Sequence, residues 1–316
     1  VNHLPGTLDG LVIRAQSGFL TVRTDAGDYT CRLRGRLKQG EQEGDYVGVG
    51  DRVTITPEAD GSGVIERIHE RTAEFSRMRS GIKREFRQIL LANPDQIVTV
   101  FACVQPEPSL RMLDRFLVIA EKQAVEAVVV ANKVDLVTME HAQSIFGIYT
   151  QLGYPVVYTS AHTGRGVAQL REHLKGKLSA LTGPSGVGKS SLLNAIQPDL
   201  GLHVRSVSET TSKGRHTTRV RELFPLDIGG YVADTPGIRS LALWDTEPEE
   251  LDAYFIEMRD LVSDCQFSDC THTHEPGCAV LAAVDTGEVA RERYNSYLRL
   301  RFGDDSEEFM DEGDVE

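Results

Sequence analysis

The stretch GPSGVGKSS, Gly183 to Ser191, constrains this chain more than any other. It satisfies G-x-x-x-x-G-K-[ST] through Gly183, Gly188, Lys189 and Ser190, with Pro184, Ser185, Gly186 and Val187 between them and Ser191 after. Glycines let the backbone curl so that several N–H groups face one anion, and a helix that follows directs its positive end at the same point. The apolar run KLSALT precedes the loop and SSLLNAI continues it, so the spacing predicts strand, loop and helix in that order. Such a unit belongs to an α/β layer with helices on the faces of a mainly parallel sheet. Lys189 is predicted to reach the β- and γ-phosphates of a nucleoside triphosphate, and the Ser190 hydroxyl to ligate Mg²⁺.

The surrounding pattern supports that layer. QIVTVFACV, EAVVVAN, PVVYTSA and KLSALTG are strand-like, separated by the helical stretches LRMLDRFLVIAEKQ, MEHAQSIFGIYTQLG and VAQLREHLKG. RELFPLDIGGYVADTPG reads as two strands joined by a Gly-Gly turn. Residues 8 to about 70 differ: GLVIRA, FLTVRT, DYTCRLRG, DRVTITP and SGVIERI are short β-branched runs divided by Gly, Asp and Pro, the pattern of a small barrel such as the OB-fold. After Asp234 the chain turns helical, with EPEELDAYFIEMRDL expected as one helix and another within AVDTGEVARERYNSYLRLRF. The fold predicted is multidomain α/β: an OB-like barrel over 1–72, a phosphate-loop domain over 73–240, a helical module over 241–302 and an acidic, disordered tail over 303–316.

The phosphate loop does not identify the base. Asn132-Lys133-x-Asp135 does, because a carboxylate accepts hydrogen bonds from the ring N–H and exocyclic amine of guanine, which adenine cannot offer in that arrangement. Ser160-Ala161, after a later strand, resembles the loop of GTPases whose backbone N–H approaches the guanine oxygen. DTPG brings Asp234 to hold Mg²⁺ through water and the Gly237 N–H to meet the γ-phosphate, and Thr217 or, preferably, Thr218 could close on Mg²⁺ from the other side. The order is unusual, since the base reader precedes the phosphate loop by some fifty residues. Joining the old ends of a compact domain and opening another loop preserves its core. The predicted central domain is therefore a circularly permuted GTPase, joined between VAQLREHLKG and KLSALTG and opened after DTPG. Ile238 stands where Ras-like enzymes carry a water-orienting Gln, so unaided turnover is expected to be slow. His216 is the candidate for positioning that water.

Three of the five cysteines and a histidine crowd into CQFSDCTHTHEPGC. Cys265, Cys270, His272 and Cys278 make a four-ligand set suited to a structural tetrahedral Zn²⁺, with His274 the alternative nitrogen. Cys31 and Cys103 sit in apolar strands and are expected to pack as small hydrophobes.

Charge is uneven. The net charge is −13, but Gly303 to Glu316 holds eight acids and no base, whereas Arg71 to Arg87 holds six bases against Glu74 and Glu85. Such a local excess can meet phosphates on an acidic protein. No apolar run approaches a membrane span, and the sequence opens without a charged-then-apolar leader, which predicts a cytoplasmic location without membrane contact.

Barrel, permuted GTPase and Cys-Cys-His-Cys module together resemble the RsgA (YjeQ/YloQ) family of ribosome-assembly GTPases, with QILLANPDQ, GPSGVGKSSLLNAI, GRHTT and DTPG as landmarks over residues 8 to about 300. The resemblance implies a cytoplasmic, monomeric enzyme that hydrolyses GTP to GDP, stimulated by the small (30S) ribosomal subunit late in its maturation. It further implies contacts to 16S rRNA through barrel and zinc module, and release of other assembly factors on hydrolysis. The helix carrying Arg291, Arg293, Tyr294, Tyr297, Arg299 and Arg301 could contact RNA phosphates and bases, and Lys213, Arg215, Arg219 and Arg221 stand where phosphates of nucleotide or RNA are expected. The alternatives are an ATP-using enzyme with the same loop, an RNA-binding module with GTP as a ligand only, and a translation-cycle GTPase on mature ribosomes.

Overall fold

Five short strands open the chain: β1 (Leu8–Gln16), β2 (Phe19–Thr24), β3 (Gly27–Leu33), β4 (Arg52–Pro57) and β5 (Ser62–Ile68). The structure is a computed structural model that describes residues 6–16, 18–35, 45–79, 86–201, 221–233 and 246–303. The strands are ordered β1-β2-β3-β5-β4, and β4 returns to pair with β1, so the barrel closes on itself. Alternation sends Val12, Val22, Cys31, Val53, Ile55 and Ile65 inward, where each is fully buried. Closure leaves none of these strands as a bare edge.

A hairpin follows, β6 (Glu74–Arg79) with β7 (Phe86–Ala92). Much of the basic run from Arg71 to Arg87 belongs to this hairpin. Two of its cations are already matched: Arg71 donates to both carboxylate oxygens of the buried Asp51 at 2.7 and 2.8 Å and to Glu74 at 2.6 Å, and Arg87 pairs with Glu74 at 2.8 Å. Lys83 and Arg84 lie outside the described residues.

The GTPase-like layer contains β8 (Gln96–Ala102), α1 (Leu110–Lys122), β9 (Glu126–Asn132), α2 (Met139–Gln151), β10 (Val156–Tyr158), α3 (Val167–Leu174), β11 (Leu178–Thr182), α4 (Lys189–Ile196), β12 (Arg221–Pro225) and β13 (Tyr231–Ala233). Its strands run β10-β9-β8-β11-β13-β12, all parallel but for β12. Every residue of β8 is buried. Ile97 and Phe101 join the core beneath α1 and α2, whereas Val98, Val100 and Ala102 join that beneath α3 and α4. A strand covered on both faces has no need of polar alternation. Caps set the helix ends: Ser109 accepts from Met112 N and Thr138 from His141 N, while Gly153 takes φ 93° just past α2.

The two sheets are continuous. The first half of β1 pairs with β4, its register shifts between Val12 and Arg14, and then Arg14 and Ala15 pair with Glu222 and Arg221 of β12. A bulge bends a strand and re-aims its remaining hydrogen bonds. Here it carries one strand from barrel to GTPase layer, which the sequence periodicity did not reveal.

The C-terminal module is built on a 3₁₀ segment (Pro248–Tyr254), α5 (Ile256–Arg259), α6 (Ala279–Thr286) and α7 (Arg291–Phe302). The expected single helix over EPEELDAYFIEMRDL is broken at Phe255, which is extended at φ −90°, ψ 101°. The break drives that ring into the core, edge-on to Tyr297 at 5.7 Å and beneath the Arg293 guanidinium at 4.6 Å. Tertiary packing overrides helical propensity here.

α7 also departs from expectation. Arg293, 1% exposed, donates to Asp114 of α1 at 2.6 Å and to Glu257 at 2.6 and 3.1 Å, and Asp114 accepts from Tyr149 of α2 at 2.8 Å. Burial opposes the charge on Arg293, but the two carboxylates outweigh it and lift its pKa above the ordinary value. Tyr294 and Tyr297 are buried too, so neither these rings nor Arg293 can meet RNA; among the residues expected to do so, Arg291 and Arg299 are exposed. The network bolts the module to α1 and α2, aided by Val118 of α1 in the module's core. Removing one partner strands a buried charge, at a cost of about 3–5 kcal/mol. Asp114→Ala is therefore expected to lower the unfolding free energy from urea titration by an amount of that order, whereas the exposed-pair variant Asp285→Ala, opposite Arg291 at 3.6 Å, should leave it unchanged.

Candidate functional site

The phosphate loop leaves the carboxyl end of β11, where open α/β sheets bind their ligands. Gly183 has φ 130°, and a Cβ there would lie 2.0 Å from the Val100 carbonyl oxygen, so only glycine fits. Gly188 has φ 96°, and its Cβ would lie 2.5 Å from Asn132 Nδ2. Gly186 is left-handed as well, at φ 80°. α4 begins at Lys189, and Ser190 and Ser191 occupy its first turn. The Lys189 side chain folds back over the loop, its Nζ donating to the carbonyls of Gly183 at 2.7 Å and Pro184 at 2.6 Å. The ammonium is thus held against the backbone of the loop's first two residues.

The base-reading candidate is in direct contact with this loop. Asn132, 1% exposed at the end of β9, donates through Nδ2 to the Val187 carbonyl at 2.8 Å and accepts through Oδ1 from Thr159 at 3.0 Å. One carboxamide therefore ties three loops that lie far apart in sequence. Lys133 adopts φ 62°, and its ammonium donates to the Gln105 carbonyl; burial depresses its pKa, with Asp135 opposing. Asp135 and Leu136 follow on an exposed 3₁₀ turn (Val134–Leu136), so the carboxylate is free to meet a ligand. Ser160 is buried and closes its own turn, accepting from Thr163 N at 3.1 Å and from Gly164 N at 2.9 Å, with Ala161 beside it.

Strand order brings these pieces side by side. β10, β9, β8 and β11 are consecutive and parallel, so the Ser160-Ala161 loop, the Asn132–Asp135 turn, the loop after β8 and the phosphate loop line one edge. The loop after β8 had not been singled out. Its Gln105 carbonyl and the Cys103 N–H, which donates to Asn132 O at 2.8 Å, both support the Asn-Lys-x-Asp turn through backbone atoms. Main-chain partners leave no mark in residue identity; only the place of β8 between the two motifs pointed there. Cys103 itself is buried, as Cys31 is, and burial pushes both thiols up to about 11. His216, Thr217, Thr218, Asp234, Gly237 and Ile238 lie outside the described residues, as do Lys213, Arg215, Arg219 and the acidic tail. Arg221 lies inside them, and its guanidinium donates to Asp45 at 2.9 Å and to the Ile89 carbonyl.

A second site occupies the C-terminal module. One donor atom each from Cys265, Cys270, His272 and Cys278 lies within 4.8 Å of all the others. Sulfur ligands of tetrahedral Zn²⁺ stand about 3.8 Å apart by Zn–S bond length, close to the 4.0 Å between Cys265 and Cys278. His272 Nδ1 faces Cys265 at 3.6 Å and Cys278 at 3.4 Å, while its Nε2 meets Asp252 Oδ2 at 3.1 Å. A carboxylate on the far nitrogen fixes the tautomer that offers its lone pair to a metal. His274 is exposed and bonded to Thr273, outside the cluster. The supports come from α7: Tyr294 donates to the His272 carbonyl at 2.7 Å and Tyr297 to that of Thr271 at 3.1 Å. Glu275 accepts from the N–H groups of Thr271, Thr273 and His274, bonds that outweigh burial and hold its carboxyl below the usual range. The donor set fits a structural zinc with every position filled by protein.

Comparison with known proteins follows the same division. The RsgA GTPase family profile matches residues 68–244, and the RsgA N-terminal domain profile matches residues 9–65. The chain belongs to the RsgA GTPase family. The small ribosomal subunit biogenesis GTPase RsgA of Gemmatimonas aurantiaca is 46% identical over 295 residues, covering 92% of this chain and 96% of that protein. The protein of the same name from Moorella thermoacetica is 45% identical over 291 residues, covering 92% and 95%. Among solved structures, YjeQ from Thermotoga maritima superposes with a TM-score of 0.75 at 40% identity, covering 94% of this chain and 98% of that one. YloQ, described as a circularly permuted GTPase, gives 0.72 at 34% identity, covering 95% and 96%. Membership of the RsgA family makes the chain a GTP hydrolase and implies Mg²⁺ alongside the nucleotide.

Because the zinc donors hold together a loop that α7 and the 3₁₀ segment pack against, metal and fold should be coupled. Cys278→Ser is expected to reduce bound zinc from one ion per chain to none by elemental analysis and to lower the melting temperature. Full zinc content in the purified variant would contradict the assigned ligand set.

Proposed function

We propose that this chain hydrolyses GTP in the biogenesis of the small ribosomal subunit, in the cytoplasm, as a monomer whose turnover the subunit stimulates. The observation that carries the reading is the Asn132–Val187 hydrogen bond, which joins base reader to phosphate loop. In this reading Asp135 recognises the guanine edge, Lys133 and the Ser160-Ala161 loop flank the base, and the loop from Gly183 to Ser191 surrounds the phosphates. Ser190 and Thr218 would hold Mg²⁺, which neutralises charge on the transferring phosphoryl group. Asp234 and Gly237 would contact the metal's water shell and the γ-phosphate. Lys189 would release the Gly183 and Pro184 carbonyls to reach the β- and γ-oxygens, so its present hydrogen bonds hold the ammonium ready at the loop.

Ile238 cannot orient water, so His216 takes that role and turnover is slow until the subunit orders the site. Residues 1–72 are the barrel, 73–240 the GTPase domain, 241–302 the zinc module and 303–316 an acidic tail. Barrel and zinc module meet 16S rRNA, and other assembly factors leave after hydrolysis. The 46% and 45% identical relatives, covered almost end to end, support this assignment through their names as small ribosomal subunit biogenesis GTPases.

The test is GTP hydrolysis with and without purified small subunits, for the wild type and His216→Ala. Turnover is expected to rise with immature subunits and to exceed that with ATP at equal concentration. His216→Ala should retain GTP affinity and lose roughly 10²–10⁴-fold of the stimulated rate. A wild type indifferent to subunits would overturn the assignment, and an unchanged stimulated rate in the variant would remove His216 from it.

A further inference from the structure

The bond pattern around β12 assigns a role that no motif marks. β12 and β13 form an antiparallel hairpin with Leu223 opposite Ala233 and Pro225 opposite Tyr231, turning through Gly229 and Gly230. The chain therefore enters at Arg221 and leaves after Ala233 at the same, open end of the hairpin. Thr218 lies three positions before that entry, and Asp234 directly after that exit. Both metal-facing candidates thus depart from the end of the hairpin that is paired with the barrel strand β1, through Arg221 opposite Ala15 and Glu222 opposite Arg14.

The Arg221 side chain reinforces this junction. Its Nη1 donates to Asp45 Oδ2 at 2.9 Å and to the Ile89 carbonyl of β7. Arg221 and Asp45 are 21% and 23% exposed, shielded enough for the pair to keep its geometry. Asp45 stands on the connection between β3 and β4, and its N–H donates to Arg87 O of β7 at 2.9 Å. A few residues on, Gly50 N donates to Val12 O at 2.8 Å, at the bulge where β1 changes partners. Gly50 has φ 93°, and a Cβ there would lie 2.1 Å from the Ala92 carbonyl oxygen, so barrel, hairpin and β1 meet with no slack. One guanidinium therefore joins the barrel, the β6–β7 hairpin and the β12–β13 hairpin, from whose open end both switch candidates depart.

We infer that Arg221 is a positioning residue that, together with Asp45, couples engagement of the barrel to the rate of GTP hydrolysis. The inference rests on the reading that the small subunit stimulates turnover, and it names the path by which the stimulus arrives. Arg221 touches neither nucleotide nor water in this role. It holds β12 in register against β1, so a force on the barrel shifts the open end of the hairpin instead of dissipating in a loose joint. Coupling between sites requires such a shared element with differential contacts.

The test uses the full-length, zinc-loaded chain and purified small subunits, with Asp45→Asn, Arg221→Gln, Arg221→Lys and the Asp45→Asn/Arg221→Gln double variant. Basal turnover, GTP affinity and the subunit concentration giving half-maximal rate should match wild type. The plateau rate at saturating subunits should fall roughly 5- to 10-fold in either single variant, at the lower end of typical coupling. The double variant should fall no further than the singles, because the two residues act through one contact. Arg221→Lys, which keeps the charge, should lie between wild type and Arg221→Gln. An unchanged plateau in both single variants, additive losses in the double variant, or a loss confined to the half-maximal concentration overturns the inference. If Arg221→Gln does not fold, Asp45→Asn and Arg221→Lys decide the question by the same plateau. A wild type without stimulation fails the functional reading itself, which separates the two outcomes.

Discussion

The Asn132 carboxamide, buried between the Val187 carbonyl and the Thr159 hydroxyl, is the contact on which the nucleotide site depends. It spans β8, the strand between β9 and β11, and fixes the distance between base reader and phosphate cradle. A buried amide left without such partners costs about 1–3 kcal/mol, so the loops have reason to stay together. Gly188 is bound into the same arrangement, since any side chain there would displace Asn132. The contact holds the reordered motifs side by side. Parallel strands keep their neighbours and their carboxyl ends whatever order the connections take, so cutting after DTPG and joining α3 to β11 alters loops and leaves the layer intact.

The flanking units are held by different physics. The barrel shares a sheet with the GTPase layer through β1 and β12 and is pinned to it by Arg221–Asp45. The zinc module shares no strand with it among the described residues and instead docks by an apolar core around Val118, Phe255 and Tyr297, beside the buried Arg293. That docking bears on how a nucleotide switch could act. Moving the module away from α1 would expose Arg293, Asp114 and Glu257 together or leave them unpaired in the interior, and neither is cheap. The barrel side is joined instead at the open end of the β12–β13 hairpin, next to the departures of both switch candidates.

Much of this was legible in residue order. The five barrel strands follow β-branched runs between Gly, Asp and Pro, and the parallel layer follows strand–helix alternation, because both depend on local periodicity. The phosphate loop, the Asn-Lys-x-Asp turn and the Cys-Cys-His-Cys set were legible because their chemistry demands particular residue types at particular spacings. What escaped notice depends on distant partners. The β6–β7 hairpin hides in a basic run whose Arg71 and Arg87 are matched by Asp51 and Glu74. Phe255 breaks a good helical pattern to reach Tyr297, and Arg293 looks like a solvated helix residue until Asp114, 179 positions away, is placed beside it. Gln105 acts through a carbonyl, which every residue possesses.

The most direct measurement is a crystal structure of the chain with Mg²⁺ and a non-hydrolysable GTP analogue. The account predicts one bound nucleotide, its guanine edge on the Asp135 carboxylate and its β- and γ-phosphates within the Gly183–Ser191 loop under Lys189. A triphosphate in that loop with its base directed away from Asp135 and Lys133 would contradict it.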